Sequence, residues 1–155
     1  MTTSLNISDI FSHDQNFQTI MKNMLQTTFD VSFDGVMITE AGPGYPIIYV
    51  NPAFCHITGY TVEELLGKSP SLLQGDQSDQ NVLAELKEKI EKGHTFHGKT
   101  VNYKKDGSAF TMEWKIVPIR NAEYAISHYL AIQRQVHDDE LTYKPHESQI
   151  PFSQE

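Results

Sequence analysis

Two complete sets of helix start and stop signals fall inside the stretch 51–67, so neither helix there can run beyond about two turns. Asn51-Pro52 puts a capping side chain ahead of a proline at the first helical position, and Gly59 ends that first helix. Thr61-Val62-Glu63-Glu64 then has capping-box spacing, and Gly67 stops the second helix. Short helices in such close succession make a crossover between larger elements. Upstream, Val36 to Thr39 and Ile47 to Val50 are strand formers on either side of a Gly42-Pro43-Gly44 turn. Downstream, Asp79 opens a longer helix with Val82, Leu83, Leu86 and Ile90 on one face, ended by Gly93. Strand-like segments occupy 96–104, 109–120 and 124–136, joined by turns at Lys105-Asp106-Gly107 and Asn121-Ala122. This order predicts an α+β fold: a five-stranded antiparallel sheet with short helices on one face.

Ahead of the sheet, Phe17, Ile20, Met21, Met24 and Leu25 recur at helical spacing between Ser12, a suitable N-cap, and Asp30. That stripe suits packing on its own domain or on a second copy of the chain. The expected division is a flanking helix over 1–32, the α+β domain over 33–137 and a mobile polar tail over 138–155, where prolines and acidic residues break any period. A chain of 155 residues has room for one core of this kind. Asp and Glu number 20 against 12 Lys and Arg, and the net charge of −8 opposes binding to nucleic-acid phosphates. One cysteine forbids an internal disulfide, the polar N-terminus lacks a signal pattern, and no apolar run reaches the roughly 18 residues that span a bilayer. The expectation is a soluble cytoplasmic protein without a membrane partner.

The element order and several strings resemble a PAS domain, and within that superfamily the flavin-binding LOV (light, oxygen, voltage) group. The strings are Ile47-Ile48-Tyr49-Val50-Asn51-Pro52-Ala53-Phe54, Thr58-Gly59-Tyr60, Leu73-Gln74-Gly75, Asn102-Tyr103-Lys104-Lys105-Asp106-Gly107 and Tyr129-Leu130-Ala131-Ile132-Gln133. The resemblance covers about residues 33 to 136. In LOV domains the segment between the glycine and the L-Q-G carries a cysteine that forms a light-driven adduct with the flavin. Here that segment is Gly67-Lys68-Ser69-Pro70-Ser71-Leu72-Leu73-Gln74-Gly75, with Pro70 at the cysteine position. Proline has no thiol, so that adduct cannot form there. Cys55, the only thiol, reads as inert core.

For flavin binding the resemblance implies a mixed set. Gln74, Asn102 and Gln133 match pocket amides, the last being the one that senses flavin N5. Ser69 and Met112 stand where asparagines are expected, Ser71 replaces a phosphate-binding arginine, and Lys87 replaces a second while keeping its charge. FMN or another flavin is therefore the implied cofactor, with a phosphate site weakened by these replacements. A pocket filled by Met112, Leu72 and Pro70 and binding nothing is the alternative, and a different small metabolite is a third.

Other chemistry finds little support in the sequence. His94 and His97 lack the further ligands a zinc site needs, and the helix opened by Asp79 carries no histidine for haem. The pair Glu63-Glu64 belongs to a cap rather than to acid–base catalysis. No nucleophile with a base and no phosphate loop is present, so no enzyme and no bound metal are expected. The reading is a stand-alone sensory module that relays light or redox state through its flanking helix and sheet to a protein partner, as a homodimer. A ligand-free PAS module for protein interaction or dimerisation is the alternative.

Overall fold

The computed structural model describes residues 15–137, together with Ile7. The expected cap at Ser12 and the expected tail over 138–155 lie outside the described residues. The first helix, α1 (Phe17–Val31), precedes β1 (Gly35–Glu40) and β2 (Ile47–Val50). Next come α2 (Pro52–Thr58), α3 (Val62–Leu65), a 3-10 turn at Pro70–Leu73 and α4 (Gln80–Glu91), then β3 (Phe96–Tyr103), β4 (Ala109–Arg120) and β5 (Ile126–Val136). The sheet is antiparallel in the order β2-β1-β5-β4-β3, so the first and last strands pair at its centre. The α+β expectation holds.

The caps act as the sequence implied. Asn51 is fully buried and uses its whole amide: Oδ1 accepts from Val36 N at 2.8 Å and Phe54 N at 3.0 Å, while Nδ2 donates to Phe29 O at 2.8 Å and Asp34 O at 3.0 Å. One side chain thus caps α2 and ties it to β1 and to the end of α1. Thr61 and Glu64 form the reciprocal capping box of α3. Asp79 caps α4, accepting from Asn81 N and Val82 N.

Packing between α4 and the sheet departs from a filled core. Val82, Leu83, Leu86 and Ile90 do face inward, yet none of the residues of α4 is fully buried. The reason is a cavity of about 470 Å³ between this helix, the 3-10 turn and the sheet. The close-packed core, with Phe54, Leu65, Phe96 and Ile47, adjoins that space through Met37, Leu73 and Met112, which belong to the core and line the cavity. β5 begins at Ile126 rather than Tyr124, because Tyr124 takes a left-handed conformation (φ 66°) and Asn121 Oδ1 accepts from Glu123 N and Ala125 N, which closes a turn. Among the described residues no helix is long and apolar enough to cross a membrane.

Candidate functional site

Alternation along the central strands puts Met37 and Thr39 of β1, Met112, Trp114 and Ile116 of β4, and Tyr129, Ala131 and Gln133 of β5 on one face, and all eight line the cavity. The strand register sets Gly35, Gln133 and Trp114 side by side in one row, with Met37, Ala131 and Ile116 in the next. Gly35 leaves room for the glutamine, since a Cβ there would come within 3.3 Å of Gln133 Cγ and 3.2 Å of the Phe54 backbone. Opposite the sheet, the 3-10 turn is capped by Ser69, which accepts from Ser71 N, and starts at Pro70. Gly75 then passes so close under the Tyr103 ring that no side chain would fit, and Tyr103 Oη accepts from Gln77 N. Ser78 Oγ donates to Val101 O and Asp79 N to Thr100 Oγ1, both at 2.6 Å, fixing the start of α4 to β3.

Ser69, Gln74, Lys87, Asn102, Met112 and Gln133, and Ser71 with them, all line this one cavity. They divide into a floor and a rim. Asn102, Met112 and Gln133 are buried at the floor, whereas Ser69 is half-buried and Gln74 and Lys87 are exposed. The floor is poorly satisfied. Gln133 is 4% exposed, yet its Nε2 finds no hydrogen-bond partner among the described residues. Asn102 Nδ2 donates to Met112 Sδ at 3.4 Å, and a thioether is a weak acceptor. Buried amides are almost always paired, so this donor is open to an acceptor held in the cavity, whether water or a ligand.

Met112, Pro70 and Leu72 do not close this space, as the alternative reading expected: the first two line an open cavity and Leu72 packs against the core outside it. Several lining residues escaped the sequence reading. Trp114 and Tyr129 follow from the same alternation that marks Met112 and Gln133. Tyr45 does not, because it enters the site through a left-handed residue (φ 49°) and sets its ring edge-on to Tyr129 at 5.7 Å. The Tyr129 hydroxyl donates to Ile90 O, linking β5 to the end of α4, and burial raises its pKa.

Cys55 lies outside the lining, half-buried against the core, and burial followed by the charge of Glu63 pushes its thiol pKa up. His97 Nε2 meets Glu113 Oε2 at 3.2 Å on the exposed side of β3. Among the described residues no group of three or more His, Cys, Asp or Glu side chains is gathered to hold a metal ion.

This fold with its helix-covered cavity is that of a sensory PAS domain, and a profile described as "PAS domain" matches residues 34–138. The chain belongs to the PAS domain family. Its structural neighbours are LOV domains: an RNA-binding light-oxygen-voltage receptor (TM-score 0.72, 27% identity, 77% of this chain and 34% of that one) and a LOV domain studied with a flavin analogue (TM-score 0.68, 28% identity, 78% and 87%). Among relatives, a blue-light photoreceptor of Listeria monocytogenes is 35% identical over 123 residues, 77% of this chain and 48% of that protein. A nitrogen fixation regulatory protein of Klebsiella oxytoca is 34% identical over 90 residues, 58% of this chain and 18% of that protein. The chain thus spans less than a fifth of the nitrogen fixation regulator and about half of the photoreceptor.

Proposed function

We infer that the chain is a sensory module that holds a flavin in the sheet-side cavity and reports its redox state or its response to blue light without a cysteinyl adduct. The observation that carries this is the buried, unpartnered amide of Gln133 facing the cavity beside Asn102. A bound flavin supplies one- and two-electron redox chemistry and absorption of blue light. Gln133 and Asn102 would hold the polar edge of its ring, because amides both donate and accept. Met37, Leu83, Trp114 and Ile116 would wall the ring and exclude water. Pro70 lines the cavity and offers no thiol, and Cys55 lies outside it.

Gln133 is also where a signal leaves the site. A carboxamide that turns over exchanges its donor for its acceptor, and this one packs against Gly35 at the start of β1. Asp34, next in the chain, accepts from Asn51 Nδ2, which also holds the Phe29 carbonyl near the end of α1. A change in the Gln133 amide therefore lies three contacts from the flanking helix. Homodimer formation through α1, and a protein partner reached through it, complete this reading, as a cytoplasmic module with no enzymatic activity of its own.

The test is the absorption spectrum of the full chain expressed with ample riboflavin, then denaturation and chromatography of any released chromophore. Stoichiometric flavin is the expected result. A colourless, folded protein that takes up no added flavin would favour the second reading, a ligand-free interaction module, which rests on α1 fully burying none of its residues.

A further inference from the structure

We propose that the cavity recognises the flavin ring and is nearly indifferent to the phosphate, so that riboflavin and FMN bind with affinities within tenfold of each other. This rests on the flavin reading and deepens it by naming the chemical class the site selects. The basis is the contrast between floor and rim. Polar recognition at the floor is buried and short of partners, at Gln133 and Asn102, so the ring is where binding gains most.

At the rim every group that could take a phosphate is exposed or already engaged. Among the described residues lining the cavity, Lys87 is the single cationic side chain; it is 77% exposed and 4.0 Å from Glu91. An exposed point charge of this kind contributes up to about fivefold in affinity. The hydroxyls of Ser69 and Ser71 lie 3.0 Å apart, bonded to each other, and Ser69 Oγ also accepts from Ser71 N. Gln80 donates its amide to Ser78 O. The start of α4, which would otherwise offer free N–H groups to an anion, has two of them satisfied by the Asp79 carboxylate, a negative charge that repels a phosphate. The rim therefore distinguishes poorly between a ribityl hydroxyl and its phosphate ester.

The experiment is titration of the full chain, stripped of any bound chromophore, with riboflavin, FMN and FAD, monitored by flavin fluorescence at about 50 mM salt, where screening is weaker than at physiological ionic strength. The expected ratio of riboflavin to FMN dissociation constants is below ten. In the same assay Ser71→Arg, which places a forked cation at an exposed position, should tighten FMN about two- to fivefold while leaving riboflavin unchanged. FMN or FAD binding more than tenfold tighter than riboflavin in the unaltered chain, or no gain for FMN in Ser71→Arg, would overturn the inference and leave the flavin reading standing. Failure of all three flavins to bind would overturn both.

Discussion

Gln133 is a residue whose cost and use are linked. A buried amide donor left unpaired costs about 1–3 kcal/mol, and no protein group among the described residues accepts from Nε2, so its acceptor must come from within the cavity. Gln133→Leu removes one amide that would meet the ring and should therefore weaken flavin about 2- to 12-fold in a fluorescence titration; unchanged affinity would show that the ring does not use it. The same variant should also lose any signal-dependent change in dimerisation; an undiminished change would remove Gln133 from the relay. Met112 is its counterpart on β4. Met112→Asn would give the ring edge an amide in place of a sulfur that now receives Asn102 Nδ2, and each restored hydrogen bond should tighten flavin about 2- to 12-fold in a fluorescence titration. A variant that folds with unchanged affinity would show that the ring edge does not reach β4.

Short capped helices decide how the elements meet, and the capping box of α3 makes a pH prediction. Glu64 closes that box and also reaches Lys105 in the β3–β4 turn, joining helix to sheet. The Lys105 hydrogen bond, then that from the Thr61 amide, holds its carboxyl below the ordinary 4.5. A carboxyl with a lowered folded pKa stabilises above the unfolded value and loses that contribution as pH falls below it. The stability advantage of the wild type over Glu64→Gln, measured by urea midpoints, should thus be present at neutral pH and shrink as pH drops below 4.5; an advantage that grows in acid would refute the linkage. Such local chemistry is why much of the fold was legible: Asn51, Thr61 and Asp79 cap as their neighbours imply, because a cap depends on three or four residues. The cavity was legible only through resemblance. Periodicity marks the inward face of α4 but not that its residues stay half-buried over open space, and a left-handed Tyr45 or Tyr124 leaves no mark that glycine would.

For the whole molecule the decisive surface is the one the domain does not cover. None of α1 is fully buried, although Phe29 meets Tyr49 at 5.7 Å and Asn51 anchors the Phe29 carbonyl, so the helix is held at its C-terminal end while Phe17, Ile20 and Met21 of its stripe are only half-buried and Met24 and Leu25 are exposed. Met24 is 41% exposed, Leu25 56% and Val31 68%, and Phe33 just beyond is fully exposed. Fully burying an aromatic or aliphatic side chain contributes about 1.5–3 kcal/mol, so a second copy seated on this stripe would gain from both protomers at once. If the module works as a homodimer, Leu25→Glu and Phe33→Ser should each raise the dimer dissociation constant at least tenfold in sedimentation velocity. Neither should shift the unfolding midpoint of the monomer, because neither side chain is buried within it. A monomer whose stability falls with these substitutions would return the stripe to its own domain. An unchanged dimer would place the interface elsewhere, and would cut the proposed path from Gln133 through Asn51 at its last contact.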